Sequence, residues 1–552
     1  MDLIPAPSTV HLDPRRTLPL GPGTTLGGGP GAEQAERWLR ATLGAATALP
    51  LRWAADPVIR LSLDQALPPE AYRIVVDEQR VTVTAGGPAG AHWAAETLRQ
   101  LLGPDAYRRA PLRRTGWALP LGELADRPRF GWRGALIDVS RHFLPKADLL
   151  RYVDLLAAHK LNVLHLHLTD DQGWRFEVKR YPRLTEVGSW RERSMVGFRD
   201  ADRRDDRPHG GFYTQDDLRE LVAYAADRGV TVVPEIDLPG HTQAAIAAYP
   251  ELGNTDVVDT AALGVWTDWG VSPNVLNVSD ATLAFFEGVL EELLEVFPSE
   301  FVHLGGDECP KEQWRAAPAA QARIKELALA DEDELQSWFI QHFDRWLAER
   351  GRRLIGWDEI LEGGLVVAAE PKGASAPGQE RPEAGWQSRA AVASWRGYAG
   401  GVAAARAGHQ VVMCPEQHVY LDHRQADGPD EPIPVGFVRT LEDVYRFEPV
   451  PPALDEVSAR QVIGTQANLW TEFMDHARDV DYRAFPRLAA FAEVAWSALP
   501  RDPAERDFTA FEQRMRTHYR RLDALGVEYR APGGPHPWQR RPGVLGRPLQ
   551  DH

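Results

Sequence analysis

From about residue 129 onward the chain alternates between short apolar strand candidates and segments of helical pattern, and the strand pattern occurs eight times. The eight strand candidates lie at 135–139, 163–168, 230–236, 301–304, 353–356, 391–394, 410–413 and 462–465. Continuous apolar runs of this length are typical of strands that are buried on both faces of a parallel sheet. Eight strand–helix units over roughly 370 residues predict an α/β fold, a (β/α)8 TIM barrel with insertions in its loops.

The segments before and after the predicted barrel have different patterns. Residues 1–128 contain alternating strand candidates at 58–63, 72–76 and 80–84 and a helical stretch at 90–102, which predict a small α/β support domain. We place the catalytic barrel at 129–500. Residues 501–552 are rich in proline and hold one more helix, around 508–525, so we predict a short helical C-terminal extension.

Composition excludes several classes of partner. The net charge of −17 argues against nucleic acid, because phosphate binding requires a basic face. No run of 18 apolar residues occurs, so we expect no membrane span. With only Cys309 and Cys414 a cysteine-based metal cluster is impossible. The N-terminus has no basic region followed by an apolar stretch, so we expect a cytoplasmic protein unless a leader precedes this sequence.

Charged and aromatic residues collect at the C-terminal ends of the strand candidates, where a TIM barrel forms its active site. In chain order these groups are Asp138, Arg141, Asp170, Asp237, His241, Asp307, Glu308, Trp357, Trp395, Tyr420, Asp422, Trp470 and Glu472. Carboxylates and arginine bind ring hydroxyls through directional hydrogen bonds, while indole faces cover the apolar C–H surface of a sugar. The pattern therefore indicates a carboxylate-rich sugar site lined by tryptophan.

The segment 301–308 ends in two adjacent carboxylates, Asp307 and Glu308, directly after Gly305 and Gly306. Side chains on a regular strand point alternately to opposite faces, but a Gly-Gly kink can break that alternation and turn both acids into one cavity. Two carboxyl groups so close, with apolar walls, do not both ionise easily, so one of them can hold a proton near neutral pH. A retained proton is what a general acid requires.

Several of these stretches resemble the family 20 glycoside hydrolases, the β-N-acetylhexosaminidases. The matching segments are 138–142, 165–175, 234–241, 303–308 and 467–472, which span most of the barrel in family order. The support domain also resembles the small α/β domain that these enzymes carry. The Gly-Gly-Asp-Glu signature at 305–308 is specific in that setting, although alone it would be a weak signal.

The resemblance implies an exo-acting, retaining β-N-acetylhexosaminidase that removes terminal β-linked GlcNAc or GalNAc, with no cofactor and no metal. The substrate's own acetamido oxygen would attack C1 and form an oxazolinium-like intermediate, so no enzyme nucleophile is required. Glu308 would hold the proton, donate it to the leaving oxygen and then deprotonate water. Asp307 would be ionised, orient the acetamide and balance the developing positive charge.

The resemblance also implies binding and supporting roles for further positions. They are Tyr420 as donor to the acetamido oxygen; Trp357, Trp395 and Trp470 as walls around the acetamido methyl; Arg141 on the 3- and 4-hydroxyls; Asp422 and Glu472 on the 4- and 6-hydroxyl side; and Asp170 and His241 as a chain to Glu308.

Two alternatives remain open at this point. His165 and His167 share one face of a strand and could ligate a metal, as in metal-dependent barrel hydrolases. A non-catalytic sugar-binding barrel would also use aromatic and acidic groups, although it would not need a proton-holding pair. The sequence does not decide between GlcNAc and GalNAc, the linkage of the substrate, the oligomeric state or the role of loops 191–211 and 363–389.

Overall fold

The computed structural model describes residues 1–364 and 388–549, which form a seven-stranded sheet, a closed eight-stranded barrel and a long C-terminal helix. The predicted fold class is therefore confirmed: a TIM barrel, preceded by a small α/β unit and followed by a helical extension. Most of the predicted loop 363–389 lies outside the described residues.

The N-terminal sheet contains the three predicted strands and four more. Its strands are β1 (Thr9–Leu20), β2 (Thr25–Gly28), β3 (Arg52–Trp53), β4 (Ile59–Leu63), β5 (Tyr72–Val76), β6 (Val81–Ala85) and β7 (Trp117–Asp126), in the order β1-β7-β5-β6-β4-β2-β3. Helices Glu33–Thr47 and Pro88–Leu101 pack against it. Strand β1 escapes prediction because most of its side chains are exposed or half-buried, so it lacks an apolar alternation.

All eight barrel strands form close to their predicted positions. They are β8 (Trp132–Asp138), β9 (Val163–His167), β10 (Thr231–Glu235), β11 (Phe301–His303), β12 (Arg353–Trp357), β13 (Ala391–Ser394), β14 (Val411–Met413) and β15 (Val462–Leu469). The pairing is parallel throughout, and β15 closes the barrel against β8. Strand β15 extends beyond the predicted 462–465 because the polar Gln466 and Asn468 continue the ladder inside the barrel.

Helices follow or connect most of the barrel strands. They are Lys146–Ala158, Arg183–Glu186, Gln215–Ala226, Gln243–Ala248, Asp280–Val296, Glu312–Ala316, Pro318–Glu326, Glu332–Glu349, Ala399–Arg406, Glu416–Val419, Leu441–Tyr445, Glu456–Ala459, Ala477–Ala484, Arg487–Trp496 and, after the barrel, Phe508–Leu525. The apolar periodicity of residues 482–496 predicts a single helix, and that prediction is wrong: Pro486 has no N–H to donate, and the chain forms two helices around it. Among the described residues, no helix combines the length and the apolar character needed to cross a membrane.

The sheet and the barrel meet at a buried ion pair. Lys160 Nζ lies 2.9 Å from Asp126 Oδ2, and both side chains are 1% exposed. Trp496, at the end of a barrel helix, donates its indole N–H to the same oxygen at 2.9 Å and packs edge-on against Trp93 at 6.0 Å. Lys160 also lies 4.5 Å from the centre of the Trp496 ring. A desolvated charge pair between aromatic faces therefore joins the two units.

Removing one partner of this pair should destabilise the protein strongly. We expect Asp126→Ala to lower the free energy of unfolding by about 3 kcal/mol, because Lys160 is then left as an uncompensated buried cation. Urea denaturation followed by circular dichroism measures the change. Asp56→Ala is the matched control, because Asp56 is 69% exposed in its pair with Arg60. Equal stabilities of the two variants would show that the pair does not hold the units together.

Candidate active site

Two glycines after β11 turn the chain so that both carboxylates reach one cavity. Gly305 and Gly306 have φ angles of +62° and +96°, in the left-handed region that favours glycine. A Cβ on Gly305 would lie 1.6 Å from Asp237 Oδ1, so no side chain fits there. Glu308 itself adopts φ +45°, a conformation that non-glycine residues rarely take. The result is that Asp307 and Glu308 line the same cavity instead of pointing to opposite faces.

The cavity has a volume of about 550 Å³ and opens at the C-terminal end of the barrel, within the usual range for ligand pockets. Eight residues singled out in the sequence line it: Arg141, Asp307, Glu308, Trp395, Tyr420, Asp422, Trp470 and Glu472. Nine others also line it: Phe198, Arg199, Trp269, Gly270, Val271, Glu416, Phe473, Arg547 and Pro548. The structure thus brings together acids, arginine and aromatic rings from most of the barrel loops.

His241 connects two buried acids that follow β9 to the carboxyl pair in the cavity. Its Nε2 lies 3.3 Å from Glu308 Oε2 and 3.7 Å from Asp307 Oδ2. Its Nδ1 lies 3.2 Å from both Asp170 Oδ1 and Asp171 Oδ2. Burial opposes a charge on this ring, but the surrounding carboxylates raise the pKa of His241 well above its usual value. A cation therefore lies between the two groups of acids.

The surroundings shift the pKa values of the two carboxyl groups in opposite directions. Burial raises the pKa of Asp307 to about 6, assisted by the negative charge of Glu308 and opposed by His241. Burial also raises the pKa of Glu308, but the hydrogen bond from His241 and the nearby cations outweigh it, so the net shift is downward. Glu308 is 40% exposed in its side chain whereas Asp307 is 13% exposed. In the protein alone, the pKa of Asp307 therefore lies above that of Glu308.

Arg141 combines an ion pair with a position on the cavity wall. Its Nη2 lies 2.9 Å from Asp170 Oδ2 and its Nη1 lies 3.4 Å from Asp138 Oδ2. The guanidinium carbon lies 5.0 Å from the centre of the Trp470 ring. These ion pairs hold the guanidinium as a fixed, planar donor on the wall of the cavity.

Aromatic rings form one wall of the cavity. Trp395 and Tyr420 are stacked with centroids 6.3 Å apart, and Tyr420 lies 6.2 Å from Trp470. Trp395 donates its indole N–H to Glu359 at 3.0 Å, which fixes the plane of the ring. Trp357 lies behind this wall, 5.8 Å from Trp470 and 1% exposed. The structure therefore places Trp395 and Trp470 at the cavity surface and Trp357 as their support.

Asp422 and Glu472 supply two further carboxyl groups to the wall of the cavity. Within the described part of the chain, Asp422 Oδ1 is buried and has no hydrogen-bond partner. Burial raises the pKa of Glu472 to about 7, against the lowering effect of Arg141. Buried acceptors without a partner are costly unless a ligand supplies a donor, so these oxygens suit the hydroxyls of a sugar.

The histidine pair considered as a metal site is part of a hydrogen-bond network around Glu235. His167 Nδ1 lies 2.5 Å from Glu235 Oε2, and its Nε2 lies 2.7 Å from Asp170 Oδ2. His165 Nε2 and His303 Nδ1 also contact Glu235, at 3.1 and 2.8 Å. The potential ligand atoms of His165, Glu235 and His303 lie within 4.8 Å of one another. Both oxygens of Glu235 nevertheless already accept hydrogen bonds, one from His167 and the other from the Trp357 indole. A carboxylate occupied in this way suits a buried polar core better than an open metal site.

Two parts of the wall were not anticipated from the sequence. Trp269 lies on a long loop after β10 with no pattern that marks it. The C-terminal tail returns to the mouth of the barrel: Leu545 accepts from the Phe198 N–H at 2.8 Å, and the carbonyl of Arg547 accepts from Arg424 at 2.6 Å. Because these contacts use backbone oxygens, the side-chain sequence gives no signal for them.

Comparison with known proteins agrees with this geometry. The family described as glycosyl hydrolase family 20, catalytic domain, matches residues 130–499, and its domain 2 matches residues 1–127. A beta-hexosaminidase of Porphyromonas gingivalis is 40% identical over 478 residues, covering 86% of this chain and 56% of that protein. A beta-hexosaminidase of Vibrio furnissii is 34% identical over 506 residues, covering 89% of this chain and 76% of its own length.

Comparison with solved structures agrees with these sequence matches. The exo beta-N-acetylglucosaminidase of Vibrio harveyi in complex with N-acetylglucosamine superposes with a TM-score of 0.79 at 31% identity, covering 96% of this chain and 78% of that one. A mutant Streptomyces plicatus beta-hexosaminidase in complex with GlcNAc gives 0.78 at 30% identity, covering 97% of both chains. The chain belongs to glycosyl hydrolase family 20.

Proposed function

We propose that this glycoside hydrolase is an exo-acting β-N-acetylhexosaminidase that releases terminal β-linked GlcNAc or GalNAc with retention, by substrate-assisted catalysis. The observation that carries the proposal is the adjacency of Asp307 and Glu308 in one cavity. Retaining enzymes with their own nucleophile hold two carboxyl groups about 5 Å apart on opposite sides of the bond. A substrate whose own acetamido oxygen attacks C1 needs no enzyme nucleophile, so the acid and the carboxylate that orients the acetamide can be adjacent residues. We keep 1–128, 129–500 and 501–552 as the proposed domain division.

Glu308 is the proposed general acid and base. It is the more exposed member of the pair, so a leaving oxygen and later a water molecule can reach it. In the first step the acetamido oxygen bonds to C1, the C1–O bond to the leaving group breaks and the Glu308 proton moves to that oxygen. In the second step Glu308 removes a proton from water, which attacks C1 and reopens the oxazolinium ring.

Substrate binding is what places the proton on Glu308. An acetamide N–H donated to Asp307 stabilises its ionised form and lowers its pKa. A sugar that covers Glu308 removes water from it and raises its pKa. The proton held by Asp307 in the protein alone is therefore transferred to Glu308 when the correct ligand binds, and Asp307 becomes free to balance the positive charge on the acetamide nitrogen.

The remaining lining residues suit the rest of an N-acetylhexosamine. Burial raises the pKa of Tyr420 well above its usual value, so its hydroxyl stays protonated and can donate to the acetamido oxygen. Trp395 and Trp470 cover the methyl group, with Trp357 behind them. Arg141, Asp422 and Glu472 are the proposed partners of the 3-, 4- and 6-hydroxyls.

Substitutions of the pair should separate the two roles. We expect Glu308→Gln to lower kcat for an unactivated disaccharide by about 10²–10⁴-fold, the usual contribution of general acid catalysis. Asp307→Asn should lower kcat by about 10²–10³-fold for substrates that carry the acetamido group, because the developing charge loses its partner. Glu291→Gln, on the exposed pair with Arg180, is the control and should change kcat less than about twofold.

The substrate panel tests the activity itself. Wild-type hydrolysis of aryl β-N-acetylglucosaminide, aryl β-N-acetylgalactosaminide and plain aryl β-glucoside is compared. The proposal requires the plain glucoside to be nearly inert, and its cleavage at a similar rate would exclude substrate assistance. Sugar binding with no turnover of any of the three would favour the non-catalytic sugar-binding barrel.

The pH dependence should follow the shared proton. Activity requires one proton on the pair, and burial raises the pKa of Asp307, its holder, to about 6. We therefore expect kcat/KM, which reports the free enzyme, to fall as the pH rises above about 6. The alkaline limb of kcat should lie at higher pH, because the bound sugar covers Glu308. Initial rates between pH 4 and 9 measure both limbs, and a kcat/KM that stays constant from pH 6 to 8 would contradict the assignment.

A further inference from the structure

A continuous chain of buried side chains runs below the cavity from Glu235 to Glu308. Glu235 Oε2 contacts His167 Nδ1 at 2.5 Å, and His167 Nε2 contacts Asp170 Oδ2 at 2.7 Å. Asp170 Oδ1 then contacts His241 Nδ1 at 3.2 Å, and His241 Nε2 contacts Glu308 Oε2 at 3.3 Å. The first four groups of the chain are at most 2% exposed in their side chains. The family resemblance accounts for Asp170, His241 and Glu308 but not for the two groups before them.

We propose that His167 and Glu235 are positioning residues that hold Asp170, and through it His241, in the orientation from which Glu308 delivers its proton. The inference rests on the proposed function, since it assigns these residues to the acid step of that reaction. Neither residue touches the cavity, so both act through their neighbours.

The contacts of Asp170 explain how the effect passes along the chain. Its Oδ2 accepts from His167 at 2.7 Å and from Arg141 at 2.9 Å, while its Oδ1 accepts from His241 at 3.2 Å and from the Asp171 N–H at 2.6 Å. All four donors fix one carboxylate plane. Loss of the His167 contact lets this plane rotate about its Cβ–Cγ bond, and His241 then loses one of the two carboxylates that aim its Nε2 at Glu308, with only Asp171 remaining.

The network around the chain contains a natural comparison. His165 contacts the same Glu235 oxygen as His167, at 3.1 Å, and is 1% exposed like it. Its other ring nitrogen faces Gln466 at 3.0 Å, on the opposite side from Asp170. His165 is therefore matched to His167 in residue type, burial and partner, but it does not contact Asp170 and is not one of the groups that link Glu235 to Glu308.

Further charged groups surround the side chains that run from Glu235 to Glu308, and the test variants must leave these groups in place. Asp237 lies close enough to His167 and Asp170 for their polar atoms to fall within 4.8 Å, and the same holds for Asp237, His241 and Asp307. His303 occupies the second oxygen of Glu235 at 2.8 Å. None of these groups is changed by a substitution at His167.

Dependence on the leaving group tests the proposal, because only the acid step is sensitive to it. The variants His167→Gln and His165→Gln are compared with wild type on a 2,4-dinitrophenyl β-N-acetylhexosaminide, whose leaving group needs little protonation, and on the disaccharide chitobiose, whose leaving group needs it. We expect the ratio of kcat/KM for chitobiose to that for the aryl substrate to fall about tenfold in His167→Gln, a part of the general acid contribution. In His165→Gln the ratio should stay within about twofold of wild type, whatever its absolute rate. Equal losses on both substrates in His167→Gln would overturn the proposal, because they would indicate a structural role alone.

Two further variants keep the test decisive. Glu235→Gln preserves the shape of the side chain and an acceptor for the Trp357 indole, so it tests the chain if His167→Gln fails to fold, and it should lower the ratio in the same direction. Glu308→Gln removes the proposed general acid itself, so it gives the largest fall in the kcat/KM ratio that loss of the acid step can cause. If Glu308→Gln leaves the ratio unchanged, the proposed function is wrong; if Glu308→Gln lowers it but His167→Gln or a folded Glu235→Gln does not, the positioning role alone is wrong.

Discussion

Repulsion between two carboxylates on consecutive residues is the constraint around which this site is built. Burial and the charge of Glu308 raise the pKa of Asp307 to about 6, so below that pH the pair holds a proton that either group can carry. The imidazole of His241, 3.3 Å from one acid and 3.7 Å from the other, decides which group holds it. The glycine turn, the cation and the desolvating aromatic wall together set the proton affinities of the pair, and the proposed mechanism uses them to place a proton on Glu308 when an acetamide binds.

The interior of the barrel beneath the cavity supports the two carboxyl groups. Parallel strands bring the ends of β9, β10 and β11 to one edge, and the interior there is filled with histidine and carboxylate in place of the usual aliphatic layers. Glu235 accepts a hydrogen bond from His167 on one oxygen and from the Trp357 indole on the other. His165 and His303 lie 3.1 and 2.8 Å from the same carboxylate. This polar layer therefore contacts Asp170 through His167 and the tryptophan wall through Trp357.

The barrel and most of the residues that line the cavity could be predicted from the sequence, for physical reasons. Strands buried on both faces leave continuous apolar runs, and the end of such a run points to the residue that enters the site, as with Trp395 after β13. The sequence could not reveal features that depend on distance. The order of proton affinities at Asp307 and Glu308 depends on where His241 lies, and the tail docks through the carbonyls of Leu545 and Arg547, which any residue could supply. The helix break at Pro486 could have been predicted, because proline has no N–H for a helical hydrogen bond. The apolar periodicity continues through Pro486, however, and it favoured a single helix.

The most direct test is a titration of both carboxyl groups by ¹³C NMR, in protein labelled at aspartate and glutamate side chains, with and without a thiazoline mimic of the oxazolinium intermediate. Asp307→Asn and Glu308→Gln identify the two resonances. In the protein alone, Asp307 should have the higher pKa, about 6. With the mimic bound, the order should be reversed, with the higher pKa at Glu308. If Asp307 keeps the higher pKa in the complex, the proton is not delivered to the acid and the assisted mechanism proposed for this pair is contradicted.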